Sequence, residues 1–195
     1  MIQARYHFPT ASPGAILREE SKLGTALGLE AEKSTSQGQL VPDTIVNDVV
    51  RSWLSRHNHS FIFDGYPRSL GQAAALDEML SERATPLDVA LLLGADRQTI
   101  RDRVSRRRMC MACGRIVSLD LHLADAEAPC PSCGGNLTKR LDDTPETLEL
   151  RMREYASKTE PLIDYYRGRG LLHPVDAARP PEFVFALIVG ILEEP

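Results

Sequence analysis

A chain of 195 residues is long enough to bury a full hydrophobic core and suits one domain with small insertions. Its formal charge of -4 weighs against a general nucleic-acid binder. No run approaches the roughly eighteen consecutive apolar residues of a membrane span, and the opening MIQARYHFP lacks the apolar stretch of a signal peptide, so a cytoplasmic location is expected.

Residues 15–33 read as one helix, weakened by Gly24 and Gly28. After the turn-rich TSQGQLVPD, Asp43 is the expected N-cap of a helix in which Ile45, Val46, Val49, Val50, Trp53 and Leu54 recur at helical spacing. SFIFDGYPR, residues 60–68, predicts a short buried strand that stops at Asp64-Gly65, and GQAAALDEMLSER, residues 71–83, predicts a helix. DVALLL, residues 88–93, reads as a second buried strand, and residues 97–108 read as a helix. A long helical region opens at Thr144-Pro145, where proline suits a first turn, and runs to Tyr166. LLHPVDA, residues 171–177, predicts a strand, and PEFVFALIVGILEE, residues 181–194, an apolar helix. His57 and His59 read as surface residues and Trp53 as helix packing.

Short apolar strands alternating with helices predict an α/β fold with a parallel sheet covered on both faces. Such sheets bind ligands beyond the C-terminal ends of their strands. That rule points to Asp64, Gly65, Tyr66, Pro67 and Arg68.

Cys110, Cys113, Cys130 and Cys133 form two C-x2-C pairs with sixteen residues between them, the spacing of a tetrahedral four-thiolate zinc site. In a reducing compartment such thiols bind metal and do not pair as disulfides. Gly114, Gly134 and Gly135 are expected to take the positive φ values of the two knuckles. Arg103, Arg107 and Arg108 precede the cysteines and Arg140, Asp142 and Asp143 follow them, so the metal is expected to fasten a flap with arginine on both stems. A solvent-side zinc ribbon without a part in chemistry is the alternative.

Two helices place arginine on the apolar stripe: Ile100, Arg103, Val104, Arg107 and again Leu148, Arg151, Met152, Tyr155, each at i, i+3, i+4, i+7. A buried guanidinium left without a partner costs roughly 3–5 kcal/mol, so an anion is expected there. Phosphate suits arginine's planar fork; an aspartate or glutamate partner, or a side chain reaching out to water, is the alternative. Arg18, Arg68, Arg103, Arg107, Arg140 and Arg151 together suggest a phosphoryl-transfer site.

These residues carry a resemblance. SPGAILR at 12–18, GQLVPD at 38–43, FDGYPRSLGQA at 63–73, RVSRRR at 103–108, CGGNLTKRLDD at 133–143 and LRMREYASKTEPLIDYY at 150–166 are similar, in this order, to the zinc-containing adenylate kinases. The resemblance implies a P-loop-kinase-like parallel sheet, the reaction ATP + AMP to 2 ADP, structural Zn2+, Mg2+ carried with ATP, and a monomer. It makes residues 12–41 a flap that closes on the monophosphate and residues 106–143 a zinc-bearing lid over ATP. Arg18 and Arg68 would grip the AMP phosphate, Gln39, Leu40 and Val41 would line the adenine pocket beside Gly65, Tyr66 and Pro67, and Gln72 would read the adenine edge. Arg103 and Arg107 would act on the ATP side with Ile116 and Val117 against its base. Arg140 and Arg151 would reach the phosphates in transit, and Asp64 would orient the waters around Mg2+. A plain turn aspartate is the other reading of Asp64.

The chain also departs from the family pattern. Adenylate kinases open with a strand, a glycine-rich phosphate loop and a helix, and no G-x4-GK[ST] occurs in this sequence. Pro13-Gly14-Ala15 stands where the family has Thr-Gly-Asp, Val117 stands for a ring, and Ser118 for a common histidine. Turnover by this chain is therefore in question, and a nucleotide-binding or subunit-interaction pseudo-kinase is the competing reading. A zinc-ribbon nucleic-acid module using Arg106, Arg107 and Arg108 is a third, which the net charge and the DGYPR segment oppose. The family's first strand is central to its sheet, and burying about six apolar residues at roughly 1.5–3 kcal/mol each contributes on the order of 10 kcal/mol, comparable with a whole domain's net ~5–15. Met1 is on that account expected to be an internal start with coding sequence upstream. Reading the DNA before Met1 tests this: an open frame is expected, and stop codons immediately upstream would exclude it.

Overall fold

The computed structural model describes residues 1–36, 41–57, 59–119, 129–140 and 143–193. The chain starts with α1 (Ile2–Tyr6), β1 (Thr10–Ala11), α2 (Pro13–Lys22), α3 (Ala26–Ser36) and α4 (Asp43–Leu54). Next come β2 (Ile62–Phe63), α5 (Leu70–Glu82), β3 (Ala90–Gly94) and α6 (Arg97–Arg106). A small antiparallel sheet of β4 (Arg107–Cys110), β5 (Ile116–Ser118) and β6 (Leu137–Thr138) is followed by α7 (Pro145–Glu154), a π turn (Tyr155–Thr159), α8 (Pro161–Arg167), β7 (Leu172–Asp176) and α9 (Pro181–Glu193). The expected α/β class with parallel strands is what the fold has. Among the described residues the parallel strands form two pairs, β1 with β2 and β3 with β7.

Several boundaries differ from the sequence expectation, each for a local reason. The single helix expected at 15–33 is two helices, because Gly24 adopts φ 69° and Thr25 restarts the chain, its Oγ1 accepting the Gly28 N–H at 3.1 Å. Asp43 is not the N-cap of α4. Pro42 holds that place, and the Asp43 carboxylate is bonded elsewhere. The strand expected within 60–68 pairs over two residues only and is half-buried. β3 begins at Ala90, and Leu93 is exposed, so it is not the wholly buried strand its composition suggested. The helix expected at 97–108 ends at Arg106, since Arg107 turns to φ -68°, ψ 133° and opens β4.

One core joins the layers through α5. Leu76, Met79 and Leu80 pack with Ala11, Val50, Trp53, Leu54 and Tyr66 under the first strand pair. On another side of the same helix Ala73 meets Leu162 and Tyr166 of α8, with Ala90 and Leu172 of the second pair against them. Trp53 packs as expected and sits among Phe61, Phe63 and His57. His57 is not the surface residue its position suggested: its ring stacks on Trp53 with centroids 3.9 Å apart and its Nδ1 lies 2.8 Å from the Trp53 carbonyl. At the other end of the chain, Arg5 and Tyr6 both donate to Glu193, tying α1 to the last residue of α9. No helix among the described residues is long and apolar enough to cross a membrane.

The packing predicts a contrast between two identical substitutions. Leu54, 1 % exposed, and Leu93, 55 % exposed, are both leucines beside the sheet. Leu54→Ala is expected to lower unfolding free energy by about 2–5 kcal/mol, and Leu93→Ala by no more than ~0.5, measured by urea denaturation. Equal losses would contradict the core assignment.

Candidate functional site

Two groups of side chains stand out, one at the exit of β2 and one at the base of the small antiparallel sheet. At the first, the ladder closes with the Asp64 N–H donating to the Ala11 carbonyl at 2.8 Å, and Gly65 turns the chain at φ 71°. Arg68 folds back over that turn, its Nε donating to the Gly65 carbonyl at 2.8 Å. A Cβ at Gly65 would stand 2.8 Å from the Arg68 guanidinium, so glycine serves both the backbone angle and the close approach. Asp64, Gly65 and Arg68 are exposed, Pro67 is half-buried and follows a cis peptide, and Tyr66 is buried. The Tyr66 hydroxyl lies 2.9 Å from Asn47 Oδ1 and 3.2 Å from the Gln72 carbonyl. Burial raises its phenol pKa well above the ordinary value.

Behind this loop lies Gln72, the buried polar residue of the core. Its Nε2 donates to Asp43 Oδ1 at 2.6 Å, and its Oε1 accepts the Arg68 N–H at 2.7 Å. The second Asp43 oxygen accepts from Ser69 Oγ at 2.5 Å, while Ser69 caps α5 by accepting the Gln72 N–H at 3.1 Å. From the far side, Thr159 Oγ1 donates to the Arg68 carbonyl at 2.9 Å. Arg18 is exposed on α2, with its guanidinium beside Gly14. Pro13 is buried at the first position of α2, where a missing N–H costs nothing. Val41 is half-buried against the small cluster of Leu17, Ala31, Ile45 and Val49. Gln39 and Leu40 lie outside the described residues.

At the second group, one carboxylate gathers the stems. Asp143, its side chain 1 % exposed, accepts both Nε and a terminal nitrogen of Arg107 in a bidentate pair, the Nε bond being 2.8 Å. The nearest Arg151 nitrogen is 3.7 Å from the same carboxylate. Arg140 is half-buried next to it in the stem, its carbonyl accepting the Asp143 N–H at 3.1 Å. The expectation of arginines on apolar helix stripes is corrected here. Arg107 has left the helix for β4, and Arg103 and Arg151 are exposed on α6 and α7. The anion beside Arg107 and Arg151 is a carboxylate, which sequence spacing did not reveal because 36 residues separate Arg107 from Asp143. Ile116 is exposed and Val117 half-buried on β5, paired with β4 residues Met109 and Arg108.

The cysteine ligand atoms lie within 4.8 Å of one another. Cys110 Sγ is 3.5 Å from Cys133 Sγ, and Cys113 Sγ 3.8 Å from Cys130 Sγ. Four metal–sulfur bonds of ~2.3 Å in a tetrahedron put sulfurs ~3.8 Å apart, so the cluster has the dimensions zinc requires. Each knuckle aims backbone N–H groups at its first sulfur. The Cys113 N–H holds the Cys110 thiol down at about 6, and that of Ser132 lowers Cys130 likewise. Gly114 and Gly134 take positive φ as expected, whereas Gly135 does not. Gly135 is needed for space instead, since a Cβ there would come 2.8 Å from Ala112 and 3.1 Å from Cys110 Sγ.

Comparison with known proteins agrees with this arrangement. Residues 1–171 match the model of a family described as adenylate kinase. The chain is 40 % identical over 192 residues to the adenylate kinase of Thermodesulfovibrio yellowstonii, spanning 97 % of this chain and 89 % of that one. It is 39 % identical over 195 residues to that of Archaeoglobus fulgidus, with 99 % and 90 % covered, and 40 % identical over 193 residues to that of Salinispora tropica, with 98 % and 89 % covered. With an α/β core of parallel strands and a four-cysteine ribbon compatible with zinc, the chain belongs to the adenylate kinase family.

Proposed function

We propose that this protein is a nucleoside monophosphate kinase of the adenylate kinase type, whose reaction passes the γ-phosphoryl group of ATP to the phosphate of AMP, with little or no turnover by the 195-residue chain on its own. The observation that carries the reading is the pairing of two arginine groups of different construction. At the β2 exit, Arg68 is fixed at its backbone by Gln72 and Thr159 while its guanidinium stays exposed. At the ribbon base, Arg107 and Arg151 share one buried carboxylate.

In this reading Arg18 and Arg68 hold the AMP phosphate, with Val41, Gly65, Tyr66, Pro67 and Gln72, together with Gln39 and Leu40, forming the adenine side. Arg103 and Arg107 act on ATP, with Ile116 and Val117 against its base. Arg140 and Arg151 neutralise the phosphoryl group in flight, and Asp64 orients the waters of the Mg2+ that accompanies ATP. An AMP phosphate oxygen forms the new P–O bond as the bond to the ATP β-phosphate breaks, its electron pair staying on the departing oxygen. ATP4- and AMP2- thus become two ADP3-, and charge neutralisation by arginine is the chief service the protein renders. Asp143 keeps Arg107 and Arg151 oriented while the lid, residues 106–143, is open. Incoming phosphate then competes with the carboxylate for a guanidinium that is already aimed.

Cys110, Cys113, Cys130 and Cys133 would hold Zn2+, which closes all four coordination positions and so fastens the ribbon without entering the chemistry. The flap of residues 12–41 carries Pro13-Gly14-Ala15, which offers AMP neither a hydroxyl nor a carboxylate. That substitution favours the second reading, a nucleotide-binding pseudo-kinase, which turnover at an ordinary kinase rate would exclude.

Three outcomes are expected. Arg68→Ala lowers AMP affinity by about ten- to a hundred-fold, the worth of one charge-assisted contact, measured by calorimetric titration; unchanged affinity would remove AMP from the β2 exit. Chelating zinc lowers the thermal midpoint and opens the ribbon to protease while leaving AMP affinity within about two-fold, because Arg18, Arg68 and Gln72 lie outside the ribbon. Loss of AMP binding with the metal would show that the clasp is part of the site. In a coupled assay of the 195-residue protein, ADP formation from ATP and AMP is expected to be far below the ordinary ~1–100 s-1 of kinases, since no G-x4-GK[ST] lies in the chain. Full turnover would show that this chain needs no such loop.

A further inference from the structure

The Gln72 amide is held at both ends by groups of a single polarity. A carboxylate can only accept, so the Asp43 oxygen 2.6 Å away must face the NH2 end. A backbone N–H can only donate, so the Arg68 nitrogen 2.7 Å away must face the oxygen. Turning the amide over would set carbonyl against carboxylate and NH2 against N–H, two repulsions in a residue that is 5 % exposed. The two partners therefore fix which end of the amide faces which way.

The lock is itself anchored. Asp43 is exposed, but its second oxygen accepts from Ser69 Oγ at 2.5 Å. The carboxylate also lies at the N-terminus of α5, a 13-residue helix whose free N–H groups favour negative charge. Among the described residues, one N–H and one oxygen lone pair of Gln72 remain for another partner.

We propose that Asp43 is a positioning residue that sets the polarity of the Gln72 amide and thereby makes the monophosphate site choose a 6-aminopurine over a 6-oxopurine. The proposal rests on the reading that the monophosphate occupies the β2 exit. A 6-aminopurine offers an amino donor beside the N1 acceptor, whereas a 6-oxopurine offers the reverse, an oxygen acceptor beside an N1–H donor. An amide free to flip would serve both. A locked amide serves one and leaves the other with a mismatched polar pair in a desolvated place, which is how buried hydrogen-bonding sites discriminate.

The test is equilibrium titration of the 195-residue protein with AMP and with IMP, which does not depend on turnover. The wild type is expected to bind AMP at least about ten-fold more tightly than IMP. In Asp43→Asn the new amide can present either oxygen or NH2 to Gln72, and the AMP:IMP ratio is expected to fall by at least about three-fold. Gln72→Met, which keeps the side-chain volume without polar ends, is expected to bring the ratio to about one. A variant that merely destabilises the fold weakens both nucleotides alike and leaves the ratio where it was. An Asp43→Asn ratio equal to that of the wild type would therefore reduce Asp43 to a structural tie and overturn the proposal. Equal binding of AMP and IMP by the wild type would overturn it too. Binding of neither nucleotide would instead defeat the monophosphate reading on which it stands.

Discussion

A carboxylate withdrawn from water must be matched by cations. Asp143 is that carboxylate, and the arrangement of the ribbon and its stems follows from it. Arg107 begins the first stem, Arg140 and Asp143 end the second, and Arg151 comes from the helix beyond. Removing the Arg107 guanidinium would take from the buried Asp143 carboxylate its bidentate partner and leave only the more distant, exposed Arg151 beside it. The pair therefore secures the place where the ribbon joins the core. In the proposed function its polar character matters, because a phosphate oxyanion would compete with the aspartate for the same guanidinia. A hydrophobic joint in the same position would be as firm but could not respond to a nucleotide.

The four-cysteine cluster and the aspartate divide the work of holding the ribbon. The thiolates fasten it internally, where β4, β5 and β6 offer few apolar side chains of their own. A segment this small cannot build a core of its own, and a bound metal would supply what burial cannot. The knuckle N–H groups that favour the Cys110 and Cys130 thiolates contribute in the same direction, because ligands must be deprotonated to bind.

Much of this was legible in the sequence because the relevant signals are local. Cysteine spacing located the ribbon, apolar periodicity located α4, and the break at Asp64-Gly65 marked the strand exit with Arg68, while Gln72 came from the family resemblance. Other features escaped because they are decided by residues far apart. Nothing near Asp143 marks it as the acceptor for Arg107, and nothing near Asp43 announces Gln72, which is 29 residues away. The reading of Asp43 as a helix cap was reasonable for its position, yet tertiary bonding claimed the carboxylate. The arginine stripes failed for a related reason: periodicity presumes a continuous helix, and α6 stops one residue before Arg107. Exposure of Leu93 likewise depends on which strands lie alongside β3, a matter of topology and not of composition.

The π turn between α7 and α8 bears on how one rod serves two environments. Its wider loop, closed by the Glu160 N–H on the Tyr155 carbonyl at 2.8 Å, accommodates an extra residue and so advances the helical phase by about 100°. Upstream of it Arg151 is turned toward the ionic joint, and downstream Leu162 and Tyr166 are turned into the core. Between them Thr159 touches the Arg68 loop. The information in this segment thus resides in its length as well as in its side chains. Shortening it by one residue would keep nearly every amino acid and still rotate the charged half out of step with the apolar half, like a camshaft with one lobe mis-keyed.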